Sequence, residues 1–171
     1  MTYDVHSAAT PVSTELPPAS TDEQVREQLV RLLEQFVRDT PGVTDALLGS
    51  RDGMKQVWCS HMAVDWVDEL AAAFSGLTAL AGGVKGPMGA QLPPQQVLVE
   101  RDDALFLLTD AGVGNSFNKN GASVATVLGV LTRSDANIGA VAFDIGRLVK
   151  RFAPFMTTPV RARDGQDGGA E

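Results

Sequence analysis

Apolar positions recur at helical spacing early in the chain. Val25, Leu29, Leu32, Leu33, Phe36 and Val37 fall on one face, while Arg26, Glu27, Arg31, Glu34 and Arg38 fall largely on the other. Thr21 or Asp22 can cap this helix, Glu23 suits its first turn, and Pro41-Gly42 stops it. Residues 43–50 (VTDALLGS) then read as a strand, Arg51-Asp52-Gly53 as a hairpin turn, and residues 54–60 (MKQVWCS) as the return strand. Its alternation puts Met54, Gln56, Trp58 and Ser60 on one face and Lys55, Val57 and Cys59 on the other.

Residues 63–81 form a second helix of a different kind. Trp66, Val67, Leu70, Phe74, Leu77 and Leu80 recur along it, and Ala71, Ala72, Ala73 and Gly76 thin out much of the rest. A helix that is apolar or small on most sides needs partners on more than one side. Its own sheet can supply one, and a second copy of the chain can supply the other.

Residues 82–94 hold too many glycines and prolines for a regular element. Residues 95–100 (QQVLVE) and 104–109 (ALFLLT) read as strands around the turn Arg101-Asp102-Asp103. A Gly- and Asn-rich loop follows at 111–122, then a β-branched central strand at 123–131. Thr132-Arg133-Ser134-Asp135 offers a cap for a last helix with Ile138, Val141, Ala142, Ile145, Leu148, Val149 and Phe152 on one stripe. Asp144, Arg147, Lys150 and Arg151 fall outside the stripe, Lys150 and Arg151 suit the helix C-terminus, and Pro154 closes the helix or follows it. The order α-β-β-α-β-β-β-α predicts an α/β (α+β) sandwich, with a five-stranded, mainly antiparallel sheet and helices on both faces.

Composition narrows this further. Residues 1–20 and 161–171 lack apolar periodicity and are expected to be disordered tails around one domain at 21–160. With 44% hydrophobic residues in 171, that domain can build a sizeable core. A net charge of −7 opposes phosphate backbones and argues against nucleic-acid binding. A single cysteine, Cys59, precludes an internal disulfide, and no apolar run approaches the ~20 residues of a membrane span. With no recognisable signal peptide, these features lead to the expectation of a cytoplasmic protein.

Candidate chemistry is sparse. Gly82-Gly83-Val84-Lys85-Gly86-Pro87 follows a helix, and Lys85 is not succeeded by Ser or Thr as a phosphate loop requires. Gly112-Val113-Gly114-Asn115 lies between strands and has no lysine in the required place. Cys59 and His61 share a strand face, but His6 is the only other histidine, too few ligands for zinc, and the pair lacks an orienting third group. Asp65, Asp68 and Glu69 suit a helix start, and Asp102 with Asp103 suits a turn. Arg51 in its turn reads as solvated rather than as an arginine finger. No catalytic residue, cofactor or metal is expected.

Four segments carry a family likeness. Residues 43–54 (VTDALLGSRDGM), the helix 63–81 (AVDWVDELAAAFSGLTALA), the hairpin 95–109 (QQVLVERDDALFLLT) and residues 127–152, with their Asp-Ala-Asn helix entry, resemble the Roadblock/dynein light chain family in this order. Within it they resemble bacterial members encoded beside small Ras-like GTPases. The resemblance implies a Roadblock/profilin-like three-layer fold, with the central helix on one face and the first and last helices on the other. It implies homodimers that pair the third strand edge to edge and pack the two central helices together. On this sequence that places Gln95, Val97 and Val99 of the strand, and Trp66, Val67, Leu70, Ala73, Phe74 and Leu77 of the helix, in a dimer or partner interface. It also implies binding to a small GTPase, sometimes speeding hydrolysis without donating a catalytic residue. The expectation is a non-catalytic homodimeric regulator. The alternative is a small-ligand sensor module of profilin-like fold.

Overall fold

The computed structural model describes residues 21–114 and 123–156. The expected tails, and the part of the expected loop at 115–122, lie outside the described residues. The elements run α1 (Thr21–Asp39), β1 (Val43–Ser50), β2 (Lys55–Trp58), α2 (Val64–Gly83), β3 (Gln96–Glu100), β4 (Ala104–Gly114), β5 (Val124–Arg133) and α3 (Ile138–Met156). Five strands form one sheet in the order β2-β1-β5-β4-β3, and every pairing is antiparallel. The β-branched strand β5 is central, as its composition predicts.

Side chains alternate across a sheet, and two contacts fix which face is which. A Cβ built on Gly129 would sit 2.1 Å from the Phe74 ring of α2. Phe106 of β4 meets the same ring edge-on, with centroids 5.9 Å apart. Alternation then puts Leu47, Val127, Leu131, Leu108, Val97 and Val99 on the α2 face through the observed register. Ala46, Leu48, Leu128, Val130, Leu105 and Leu107 face the other layer, where α1 packs on β1 and α3 packs on β4. Leu29, Leu33 and Phe36 of α1, and Val141, Ile145, Leu148, Phe152 and Met156 of α3, complete the core on that side.

Several boundaries differ from expectation. β2 is shorter than 54–60: the Met54 carbonyl accepts the Ser50 N–H at 2.8 Å and so closes the turn. Gly53 in that turn has φ +89°, the conformation glycine supplies without Cβ strain. Residues 111–114, expected in a loop, instead extend β4 to Gly114. The chain does this by a bulge between Asp110 and Gly112, with Gly112 at φ +93° and its N–H bonded to Asp110 Oδ1 at 2.7 Å. Thr132 and Arg133 belong to β5, not to a helix cap. Asn137 caps α3, its Oδ1 accepting the Ala140 N–H at 3.0 Å. Pro154 lies inside the last turn of α3, where its missing N–H removes a single helical bond.

Outside the core, Glu34 of α1 clamps the segment that leads into α2. It accepts the Ser60 hydroxyl and the Ser60 N–H, the latter at 3.2 Å. These bonds, the hydroxyl's first, hold its carboxyl below the ordinary carboxylate range.

This packing makes two substitutions informative. Gly129→Ala should destabilise the fold by roughly 1–3 kcal/mol, because the tightly packed Phe74 ring must be displaced to make room for the methyl group; urea midpoints measure it. Glu34→Gln should be less stable than the parent at pH 7. A depressed folded pKa gives stability above the unfolded value of about 4.3 and loses it as pH falls through the folded one. The gap between the two urea midpoints should therefore narrow as the pH falls below the unfolded value.

Candidate partner-binding surface

The breadth of apolar character along α2 divides into two functions once the helix is seated. Val67 is fully buried, Leu70 is 6% exposed and Phe74 2% exposed, and with Ala71 they pack on the sheet. These residues complete the chain's own core. Residues at i, i+7, i+11 and i+14 from Trp66 lie on a neighbouring stripe. There Trp66 is 39% exposed, Leu80 72%, Ala73 is exposed and Leu77 is half-buried.

The opposite flank of the helix is pinned by polar contacts to the β1–β2 hairpin. The Ser75 hydroxyl donates to the Arg51 carbonyl, and Lys55 pairs with Asp68. A Cβ on Gly53 would lie 3.5 Å from the Ala72 backbone. Because β2 and β3 are the two ends of the sheet, a flank turned away from the β1–β2 hairpin is turned toward β3. The Trp66–Ala73–Leu77–Leu80 stripe therefore lies on the β3 side of α2.

β3 itself is an edge, paired through Gln96–Glu100 with β4 alone. Val97 and Val99 face α2 and are half-buried. Gln95 is exposed and precedes the strand, its carbonyl accepting the Thr109 hydroxyl at 2.8 Å. Sequence reasoning passed over Val84, Met88 and Leu92, exposed apolar residues just past α2, of which Leu92 lies by the flank opposite the stripe. Their signal was visible, since large apolar side chains in a Gly/Pro-rich connection have no helix or strand to bury them.

The residues weighed for chemistry are held elsewhere. Cys59 is buried, and desolvation pushes its thiol up to about 11, which disfavours the nucleophilic thiolate. His61 Nε2 lies 2.9 Å from Asp45 Oδ1 rather than against Cys59. Arg51 pairs with Asp110 on β4. Gly82 and Gly83 end α2, and Gly112 and Gly114 belong to β4, so neither glycine-rich run forms a strand-to-helix phosphate loop. Among the described residues, no three His, Cys, Asp or Glu side chains gather as a metal site, and no helix is long and apolar enough to cross a membrane.

These elements define a small three-layer α/β sandwich that presents a helix flank and a neighbouring sheet edge. The Roadblock/LC7 domain profile matches residues 29–116, and the chain belongs to this family. A solved Roadblock/LC7 domain from Streptomyces avermitilis is 29% identical, with TM-score 0.63 over 75% of this chain and 97% of that one. The gliding protein MglB from Thermus thermophilus has 19% identity and TM-score 0.61 over 77% and 90%. MglB from Myxococcus xanthus has 15% identity and TM-score 0.58 over 74% and 93%. At those identities the two MglB structures share the fold. No curated protein matches the chain.

Burial separates two kinds of substitution on α2. Leu70→Arg should disrupt folding itself, because it places an unpaired charge in the core at a cost of about 3–5 kcal/mol. A thermal melt by circular dichroism should show the transition lost or strongly lowered.

Proposed function

We propose that this chain is a non-catalytic, cytoplasmic homodimeric scaffold that binds a small Ras-like GTPase and modulates its nucleotide cycle. The observation that carries the reading is the exposed apolar flank of α2, Trp66, Ala73, Leu77 and Leu80, beside the unpaired edge of β3. An edge strand offers its free N–H and C=O groups to another strand. A two-fold axis lets one patch satisfy itself, so the same edge and the same helix flank can meet their own copies. Gln95, Val97 and Val99 would lie along the strand pairing, and Trp66, Ala73 and Leu77 along the helix pairing. Val67, Leu70 and Phe74 would support that surface from below. Membership of the Roadblock/LC7 family supports the choice of a GTPase as partner.

The test joins self-association to the partner. Leu80→Glu leaves the core intact and removes one apolar contact from each protomer, so it should weaken self-association by at least about a hundredfold. Sedimentation velocity of the parent and the variant reads this. A GTPase should co-purify with the parent chain from its native cell, and its rate of hydrolysis or nucleotide release should change on addition of the pure chain. A parent that sediments as a monomer, or a GTPase whose rates do not move, rejects the proposal.

A further inference from the structure

A cavity of about 370 Å³ opens beside the C-terminal half of α2, on the flank away from the Trp66–Leu80 stripe. Ser75, Thr78, Ala79 and Gly82, at i, i+3, i+4 and i+7, form its helical wall. Arg51 closes one end, and the returning chain from Gln91 to Pro94 forms the facing wall. Its volume lies within the range of small-molecule sites.

The walls are held in place before any ligand arrives. The Gln91 side-chain amide donates to the Gly83 carbonyl at 2.7 Å, and Lys85 and Gln91 make a β-bridge. Pro93 and Pro94 stiffen the facing wall. Gly82 lets it approach, since a Cβ there would already stand 3.4 Å from Pro94 Cδ. The Ser75 hydroxyl ties the helix to the Arg51 carbonyl, and Asp110 takes one amino group of the Arg51 guanidinium.

One buried donor and one exposed cation border the cavity. Arg51, 42% exposed and paired with Asp110, turns its remaining N–H groups to solvent. The Thr78 hydroxyl is buried without a hydrogen-bond partner, a costly state that native structures rarely keep without a reason. Ser75 and Gln91 spend their polar groups on the Arg51 and Gly83 carbonyls, and Ala79, Leu92, Pro93 and Pro94 supply the apolar lining. A cation and an unmet hydroxyl on a partly apolar, pre-formed cavity call for acceptor oxygens carried on a compact carbon skeleton. We propose that this cavity binds a small organic acid, its carboxylate between Arg51 and Thr78 and its apolar body against Leu92 and the two prolines.

The experiment is an NMR titration of the full chain with isovalerate and phenylacetate as probes and 3-methylbutanol as the uncharged control. At least one acid should shift the Gly82 amide and the Arg51 side-chain signals saturably, with Kd at or below about 1 mM. Arg51→Gln should weaken that binding at least tenfold. Thr78→Val should also weaken it while melting no lower than the parent, because it removes a hydroxyl that has no bond to lose. If Arg51→Gln fails to fold, Thr78→Val carries the test alone. Three results overturn the proposal: no shift at these residues by about 20 mM acid, unchanged affinity in the variants, or equal binding of the alcohol. The titration reads a flank that the proposed self-association does not use, so its outcome stands apart from that of the dimer.

Discussion

The packing of Phe74 over Gly129 sets the geometry of everything that follows. A central strand approaches α2 this closely only because position 129 lacks a Cβ. The ring fills the vacated space and meets Phe106 edge-on, an arrangement that aromatic quadrupoles favour. Once Phe74 is placed, the helix has no rotational freedom. Val67, Leu70 and Ala71 must face the sheet, and Trp66, Ala73 and Leu80 must remain outside. The exposure of an apolar stripe is thus a consequence of core packing, and the stripe cannot be turned inward without evacuating Phe74.

The two flanks of α2 differ because their neighbours differ. Toward β2 the helix meets a polar hairpin and answers it with Asp68 and Ser75, which pair with Lys55 and the Arg51 carbonyl. Toward β3 it faces Val97 and Val99, and no charged partner is required there. Ion pairs at half-exposed positions contribute little stability on average. Their effect here is orientation: they hold the hairpin to one flank and leave the other clear.

Much of this was legible in the chain. The order of elements, the central position of β5 and the one-sided faces of α1 and α3 followed from periodicity and β-branched content. What escaped was tertiary. Glycine and asparagine at 111–122 predicted a loop, yet Asp110 and Gly112 make a bulge that carries β4 on to Gly114. Helix-capping residues at 132–135 competed with strand pairing, which claimed Thr132 and Arg133 through Val43 and Ala104 and left the cap to Asn137. Above all, the stripe Trp66–Leu80 is too wide for periodicity alone to divide. Sequence spacing grouped Val67, Leu70 and Phe74 with the surface, and only the position of Gly129 separates what the core takes from what it leaves.

The two edges of the sheet give that division its meaning. β2 is a poor template: it has four residues, its pairing shifts register between Leu48 and Gly49, and Lys55 stands at its start. Short length, irregularity and an edge lysine are the devices by which proteins discourage strand addition. β3 carries fewer of them, with its one charge, Glu100, at its far end. Its five residues pair with β4 in unbroken register, and Gln95 and Gln96 bring no charge to its leading end. A regular edge left open on the same side as an exposed apolar helix flank costs solubility unless something covers both. The unequal protection of the two edges, in a sheet this small, favours an occupant that meets strand and helix together, as the proposed self-association would.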